Sequence, residues 1–297
     1  MDEYLRRLCG DSQMKIVLSR KGFDSSSGGV PSPIFPDGKI LSLSIPDRSS
    51  GIAYDEIAGN CWATVGELVQ QLAGISQTHR AHLDPDLAAQ SFPRAEQWRP
   101  IFGQVDSAES HLKNQMIGPG DVFLFFGLFR PVEKLGSGWR YIRGSKSIHA
   151  IFGWLQIADR VAVSDWPTTD AWAQYHPHFT GARNPNNVLY VANDRLKLHR
   201  KIGIDLAGAG AFDSLSERQK LTAPDSSRPG LWLLPDWFHP DNRASVLSYH
   251  RDLSRWQRCQ GGVRLSSVSR GQEFVLDCED YPESVEWMSS ILRCASE

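Results

Sequence analysis

Gly118-Pro-Gly-Asp-Val-Phe-Leu-Phe-Phe-Gly-Leu-Phe-Arg130 and, after a polar gap, Ser147-Ile-His-Ala-Ile-Phe-Gly-Trp-Leu-Gln-Ile-Ala-Asp-Arg-Val161 read as two buried strands. Val122 to Phe126 is too short, and too rich in β-branched and aromatic residues, for a helix; Gly118, Pro119 and Gly120 punctuate its start as a tight Gly-Asp turn. In the second strand Gly153 stands beside Trp154. A glycine inside a strand marks a bulge, or the close approach of another backbone or a ligand. The pair therefore predicts a sheet and, at Gly153, a gap in its surface.

Working outward, Lys15 to Ser19 is a further strand, and residues 1–13 before it read as a peripheral N-terminal extension. Arg20 to Ile34 is dense in Gly, Ser and Pro and reads as a loop at a strand end, a place where function often sits. Lys39 to Ile45 alternates apolar and polar residues as a half-buried strand does, and Thr64 to Leu72 places Val65, Leu68, Val69 and Leu72 on one helical face. Ser107 to Leu112 is a short helix candidate, Val188 to Ala192, Leu231 to Leu234 and Gln272 to Leu276 are strands, and Tyr281 to Leu292 closes as a helix with Pro282 in its first turn. The expected fold is α+β, a mixed sheet with peripheral helices, built by residues 14–297 as a single domain.

With 297 residues, 41% of them hydrophobic, the chain can bury a core without disulfides. Its five cysteines are scattered, with no Cys-x-x-Cys pair, which points to a reducing cytoplasm rather than a disulfide framework or zinc ribbon. No run approaches the ~18 apolar residues of a membrane helix, so no membrane partner is expected. A formal charge of -2 argues against a broad grip on a phosphate backbone and favours a small ligand or a short flipped base. Arg140, Arg143 and Lys146 form a local basic cluster among aromatic residues, equally readable as a solvated loop and strand edge.

Several constellations can carry chemistry. Arg20-Lys21-Gly-Phe-Asp24 sits where a strand enters the glycine-rich loop: two cations can hold a phosphate while Asp24 handles a hydroxyl or ring nitrogen, or Arg20 and Asp24 can simply pair across the loop. It is neither a Walker loop nor a dinucleotide fingerprint. His82-Leu-Asp84-Pro-Asp86 joins an imidazole to two carboxylates, a donor set that suits a divalent metal, although Asp86 reads better as the cap of a helix starting at Leu87. Gln104 and His111 can join His82 and Asp84 from the next helical region. His176-Pro-His178 follows Trp166, Trp172 and Tyr175, but no third ligand stands at metal spacing, so no metal is assigned and the cofactor is left open. Cys61 beside Trp62 lacks any motif of a reactive thiol.

Two resemblances surface at these residues. Lys15 to Asp24, Pro31 to Ile34, His82 to Leu87, Gly120 to Gly127, His149 to Gln156 and Arg270 to Val275 resemble the third type of nucleotide-modification-associated domain, over nearly the whole chain from Met14. That resemblance implies a pathway that modifies nucleobases in DNA, in phages and bacteria, with a nucleotide or nucleic acid, DNA foremost, as partner. Locally, the Gly-Asp strand followed by Ile-x-Gly-x-x-x-Ile is similar to the PUA-like barrels, including the ASCH and EVE groups, and implies a small β-barrel over about residues 118–161. There Phe152 or Trp154 would stack on a base at ~1–3 kcal/mol, with His149 nearby.

A narrower likeness concerns Glu273. A Glu before Phe-Val on a late strand, with Arg20 on the first, is similar to the DNA-directed ADP-ribosyltransferases, implying Arg20 on the NAD phosphates and Glu273 as the base. The early His-x-Thr pair of those enzymes is absent, and Glu273 can instead pair with Arg270 or Arg20. The site expected from all of this has Asp24, Asp84 and Glu273 as catalytic residues and Arg20, Lys21, His82, Gln104, His111, His149, Phe152 and Trp154 as ligand-binding ones. It would belong to a base-modifying protein, to a transferase of ADP-ribose or another glycosyl group, or to a reader of modified nucleic acid without chemistry.

Overall fold

A computed structural model describes residues 14–180, 184–198, 204–269 and 273–295. The expected N-terminal extension and Arg270 lie outside them. Among the described residues, twelve strands occur in the order β1 (Lys15–Arg20), β2 (Ser32–Ile34), β3 (Ile101–Val105), β4 (Val122–Leu135), β5 (Gly138–Tyr141), β6 (Ile148–Ala162), β7 (Asn187–Ala192), β8 (Ala209–Ala211), β9 (Leu231–Leu234), β10 (Trp256–Cys259), β11 (Gly262–Ser266) and β12 (Glu273–Asp277). The α-helices among the described residues are α1 (Val65–Ala73), α2 (Asp106–Asn114) and α3 (Glu283–Leu292).

The predicted strand pair is the centre of the molecule. β4 and β6 run antiparallel, with Val122 opposite Gln156 and Phe129 opposite Ile148. Gly120 supplies the left-handed backbone (φ 92°) of the turn before β4. Asp121 then ties that turn down, its Oδ1 accepting from the Lys15 N–H (2.8 Å) and its Oδ2 from the Gly118 N–H (2.9 Å). β1 lies parallel to β4, so the main sheet is mixed, in the order β12-β1-β4-β6-β7-β3. β9, β10 and β11 form a second, three-stranded antiparallel sheet.

Alternation along β4 sends side chains into two cores. Val122, Leu124 and Phe126 meet Trp154, Trp232 and Phe274 on one face. Phe123 and Phe125 meet Phe102, Leu155 and Tyr190 on the other. Each fully buried phenylalanine contributes roughly 1.5–3 kcal/mol relative to exposure. The segment from Phe23 to Leu83 packs a further cluster around α1, whose N-cap Thr64 and Glu67 form a reciprocal capping box.

The sheet does not close. Its path ends at β12 on one side and β3 on the other, and the described residues form no closed barrel. Side chains and a helix span the seam instead of a backbone ladder: Gln104 of β3 donates to Glu273 of β12 at 2.6 Å, and α2 packs on both strands. Two smaller expectations also fail. Lys39–Ile45 has only isolated bridges, Lys39 to Ser214 and Ile40 to Ile34 at the end of β2, because its apolar residues Ile40 and Leu43 point into side-chain clusters while no continuous ladder runs alongside. The loop after β1 contains one short regular element, β2, which pairs with the far end of β4.

Candidate functional site at the seam

Beside this seam lies a cleft of about 410 Å³, within the ~300–1,000 Å³ range of small-molecule sites. Arg20 and Lys21 reach it from the end of β1, Asp24 from the loop beyond, His82 and Asp84 from the segment before β3, and Gln104 from β3 itself. These six of the expected site residues line one space. Glu273 lies under it, 1% exposed, where Lys21 Nζ donates to Oε1 at 2.8 Å and Gln104 Nε2 at 2.6 Å, while Oε2 is buried without a partner. Lys21 and Gln104 hold Glu273 and Arg20 does not, while Arg270, the other partner expected for it, lies outside the described residues. Lys21 Nζ reaches the carboxylate, whereas the Arg20 guanidinium is held by backbone carbonyls.

Arg20 gives its terminal nitrogens to the carbonyls of Ser269 and Val268 (3.0 and 2.9 Å). Neutral acceptors leave its charge intact, although burial lowers its pKa, with Asp24 opposing that through space. Asp24 does not pair with it directly. Its Oδ1 accepts from the Ser26 N–H (2.7 Å), the Ser26 hydroxyl (2.6 Å) and the Ser27 N–H (2.8 Å), which folds the loop back on itself.

Asp84 faces three imidazoles. His176 Nε2 lies 3.3 Å from Oδ1, and His178 Nε2 and His82 Nε2 lie 3.7 and 3.8 Å from Oδ2. Burial alone would raise the Asp84 pKa, but the histidines outweigh it and hold the carboxyl far below the usual range. Burial pushes His176 down to about 4; in His178 the same burial is overcome by Asp84, and the pKa is raised. The Asp84 backbone leads into a cis peptide at Pro85.

Asp86 is a correction. The short helix that follows starts at Ala89 with Ala88 as its N-cap, and the Asp86 carboxylate is turned inward to Arg94, which binds both oxygens at 2.6 Å, and to the Tyr175 hydroxyl at 2.5 Å. An acidic residue after proline can serve a helix end only if a helix begins there, and the chain instead bridges to Ile101.

Four expected ligand-binding residues stand apart from the cleft lining. His111 on α2 bonds to the Ser248 hydroxyl (3.0 Å) and stacks on Tyr249, on the far side of the Glu273 backbone. His149 accepts from Trp232 Nε1 (3.0 Å) and packs on Phe126; burial, with the Arg20 charge adding to it, pushes its pKa down to about 3. Trp154 is 4% exposed and donates to the Ala207 carbonyl. Phe152 is 5% exposed and lines a separate cavity of about 550 Å³ on the other side of Asp84.

The gap at Gly153 is real but occupied by the chain itself. A bulge falls between Phe125 and Phe126, and a Cβ on Gly153 would come within 2.8 Å of the Gly210 carbonyl of β8. Trp154 in turn covers Gly210. The stacking platform expected there is thus filled by backbone, and the aromatic residues are core.

Four positions at the cleft escaped the sequence. Gly103 donates its N–H to Asp84 Oδ1 (2.9 Å), and a Cβ there would strike the His178 ring at 2.4 Å. Asp47 holds His82 Nδ1 at 2.8 Å, and Asn187 holds His178 Nδ1 at 2.6 Å. His178 itself was noted only within an aromatic loop, and that loop is anchored by Trp166 against Trp172 and Phe179. A glycine after Phe102 inside β3 was the one available signal, a strand glycine like the one that drew attention to Gly153.

Compared with known families, residues 15–277 match the profile of nucleotide modification associated domain 3. The chain belongs to this family. Membership points to a role in nucleotide or DNA modification pathways, and nucleotide or nucleic-acid partners are compatible with it. No curated protein and no solved structure matches. Among the described residues no helix is long and apolar enough to cross a membrane.

Proposed function

We propose that the seam cleft binds a nucleotide, free or at the end of a DNA strand, and acts on its base or sugar. The observation that carries this reading is convergence: Arg20, Lys21, Asp24, His82, Asp84 and Gln104, drawn from separate parts of the chain, line one cavity. Arg20 offers a cation not spent on a carboxylate at hydrogen-bonding distance, and Lys21, ion-paired to Glu273 at 2.8 Å and lying over the Phe102 ring at 4.7 Å, adds further donors. Such a pair suits a phosphate. Asp84 and the buried Glu273 supply acceptors for a hydroxyl or ring-nitrogen proton.

Glu273 carries the group-transfer variant of this reading. Its Oε2 is buried and unbonded, so a donor that reaches it finds an acceptor with no competing partner. Transfer of ADP-ribose from NAD to a base nitrogen, with the bond to nicotinamide breaking, nicotinamide leaving and Glu273 taking the nitrogen's proton, is a reaction that uses one such carboxylate.

Calorimetric titration with deoxynucleoside monophosphates and a short single-stranded oligonucleotide tests the proposal. Micromolar to low-millimolar binding is expected, weakened at least about tenfold (~1.4 kcal/mol) by Arg20→Gln or Lys21→Gln. Absence of binding by every one of these ligands, or affinity indifferent to both substitutions, overturns it. Incubation with labelled NAD and the oligonucleotide separates transferase from reader: label on DNA that disappears in Glu273→Gln supports transfer, and binding without product supports a reader.

A further inference from the structure

We propose that His82, Asp84 and His178 form a binding site for one divalent transition-metal ion. The inference stands on the geometry of the three side chains and does not rest on the nucleotide reading.

The hydrogen bonds behind the two histidines fix which nitrogens are free. His82 Nδ1 faces Asp47 Oδ2 at 2.8 Å, an acceptor only, so Nδ1 carries the proton. His178 Nδ1 faces Asn187 Oδ1 at 2.6 Å, and the Asn187 amide nitrogen is committed to the His178 carbonyl (2.8 Å), so this Nδ1 also carries its proton. In the neutral rings both Nε2 atoms then present lone pairs, and both point to the same oxygen, Asp84 Oδ2, at 3.8 and 3.7 Å. Those distances exceed a hydrogen bond. Three electron pairs converging on one point, with ligand atoms all within 4.8 Å of one another, call for a cation between them.

An imidazolium at His178 paired with Asp84 would account for one of these approaches. It leaves His82 unexplained, since that ring is already held by Asp47 and still faces Asp84 Oδ2. With metal–nitrogen and metal–oxygen bonds of ~2.0–2.2 Å, donor atoms sit ~3.0–3.5 Å apart, so each imidazole has to close on the carboxylate by roughly half an ångström to seat the ion.

The surroundings are those of a built site. Asp47 is itself tied to the Ser49 N–H and hydroxyl (2.8 and 2.6 Å). Asp84 Oδ1 accepts from Gly103 and has His176 beside it, whose Nδ1 takes the His178 N–H at 3.4 Å. A second layer of partners orienting imidazole and carboxylate is the usual companion of metal ligands. Asp84 and His178 are 4% and 5% exposed at the side chain and His82 22%, so the ion would enter from the cleft and keep open positions there. Two imidazoles and one carboxylate select zinc, iron(II) or cobalt over magnesium or calcium.

The test uses the full chain, stripped with a chelator and titrated with Co²⁺ at neutral pH without nucleotide, so that failure here is separate from failure of the nucleotide reading. One equivalent of Co²⁺ with visible ligand-field absorption is expected, displaced by Zn²⁺ and not by Mg²⁺. Asp84→Asn and His178→Gln should abolish it, and Asp47→Asn should weaken it ~10–100-fold while leaving one equivalent. Cys61→Ser, at an exposed thiol outside the lining of the seam cleft, should change nothing. No stoichiometric binding by folded wild-type chain overturns the proposal, as does binding that survives His178→Gln or is lost in Cys61→Ser. Should the buried substitutions unfold the chain by circular dichroism, His82→Gln, at the most exposed ligand, decides: retained wild-type affinity overturns the site, and loss supports it.

Discussion

Asp84 and Asp86 flank one proline and end in opposite conditions. Asp86 faces away from the cleft into a network in which Arg94, Ser91 and Tyr175 satisfy both of its oxygens. Asp84 faces histidines, and only its Oδ1 takes a hydrogen bond, from Gly103. A saturated buried carboxylate holds the fold, whereas one left with a free oxygen at a cleft has capacity for something not yet bound. The difference lies in the partners rather than the residue.

The largest expected effect tests the saturated side. Asp86→Ala leaves Arg94 buried with an uncompensated charge and should cost about 3–5 kcal/mol in chemical denaturation. Asp84→Asn keeps the shape and should cost under about 1.5 kcal/mol. Equal losses would erase the distinction between the two carboxylates.

The same contrast extends to imidazoles. Asp84 holds the His178 pKa up, whereas burial pushes His250 down to about 4, with Ser248 opposing and Arg255 and Arg20 adding to the fall. His250 is fixed neutral, its Nδ1 on the Ser248 carbonyl and its Nε2 accepting from the Val268 N–H. An unfolded histidine titrates near ~6.5, so the unfolded chain binds the extra proton first. Stability is therefore full above that pH and is lost as pH falls toward 4, by roughly 2 kcal/mol at pH 5 for this one group. Unfolding free energies from urea denaturation at pH 7 and 5 should differ less in His250→Gln by about that amount, ~2 kcal/mol. A wild-type slope in the variant would show that the core histidine is not the source.

The smallest effect concerns Asp24, which resembles Asp86 in one oxygen only. Asp24→Ala removes three acceptor contacts at an exposed turn and should lower stability by about 1 kcal/mol, and Asp24→Asn, which keeps an Oδ1 acceptor, should recover most of it. If asparagine fails to restore stability, charge rather than turn geometry is what Asp24 provides.

Strands and helices were legible where pattern and burial coincide. Leu231–Leu234 is β9 to the residue, and the β4 and β6 pair follows from aromatic runs that have to be covered on both faces. Lys39–Ile45 shows the limit: alternation reports burial, and a strand additionally needs a neighbour for its backbone. The two strand glycines make the same point. Gly153 and Gly103 carry one signal, yet Gly210 backbone fills the first gap and a histidine ring the second.

The sequence by itself determined the family, the mixed α+β class and the polar residues worth watching, because residue type, local period and motif are properties of neighbouring positions. Only the tertiary structure decided that Arg20, His82 and Gln104 share a cleft and that Glu273 lies beneath it, or that His178 completes what His82 and Asp84 begin. Gln104 and Glu273, 169 positions apart, meet across a seam the backbone leaves open, and Lys21 meets Glu273 from 252 positions away. No local pattern encodes which ends of a curled sheet will meet, since that follows from the packing of both faces at once.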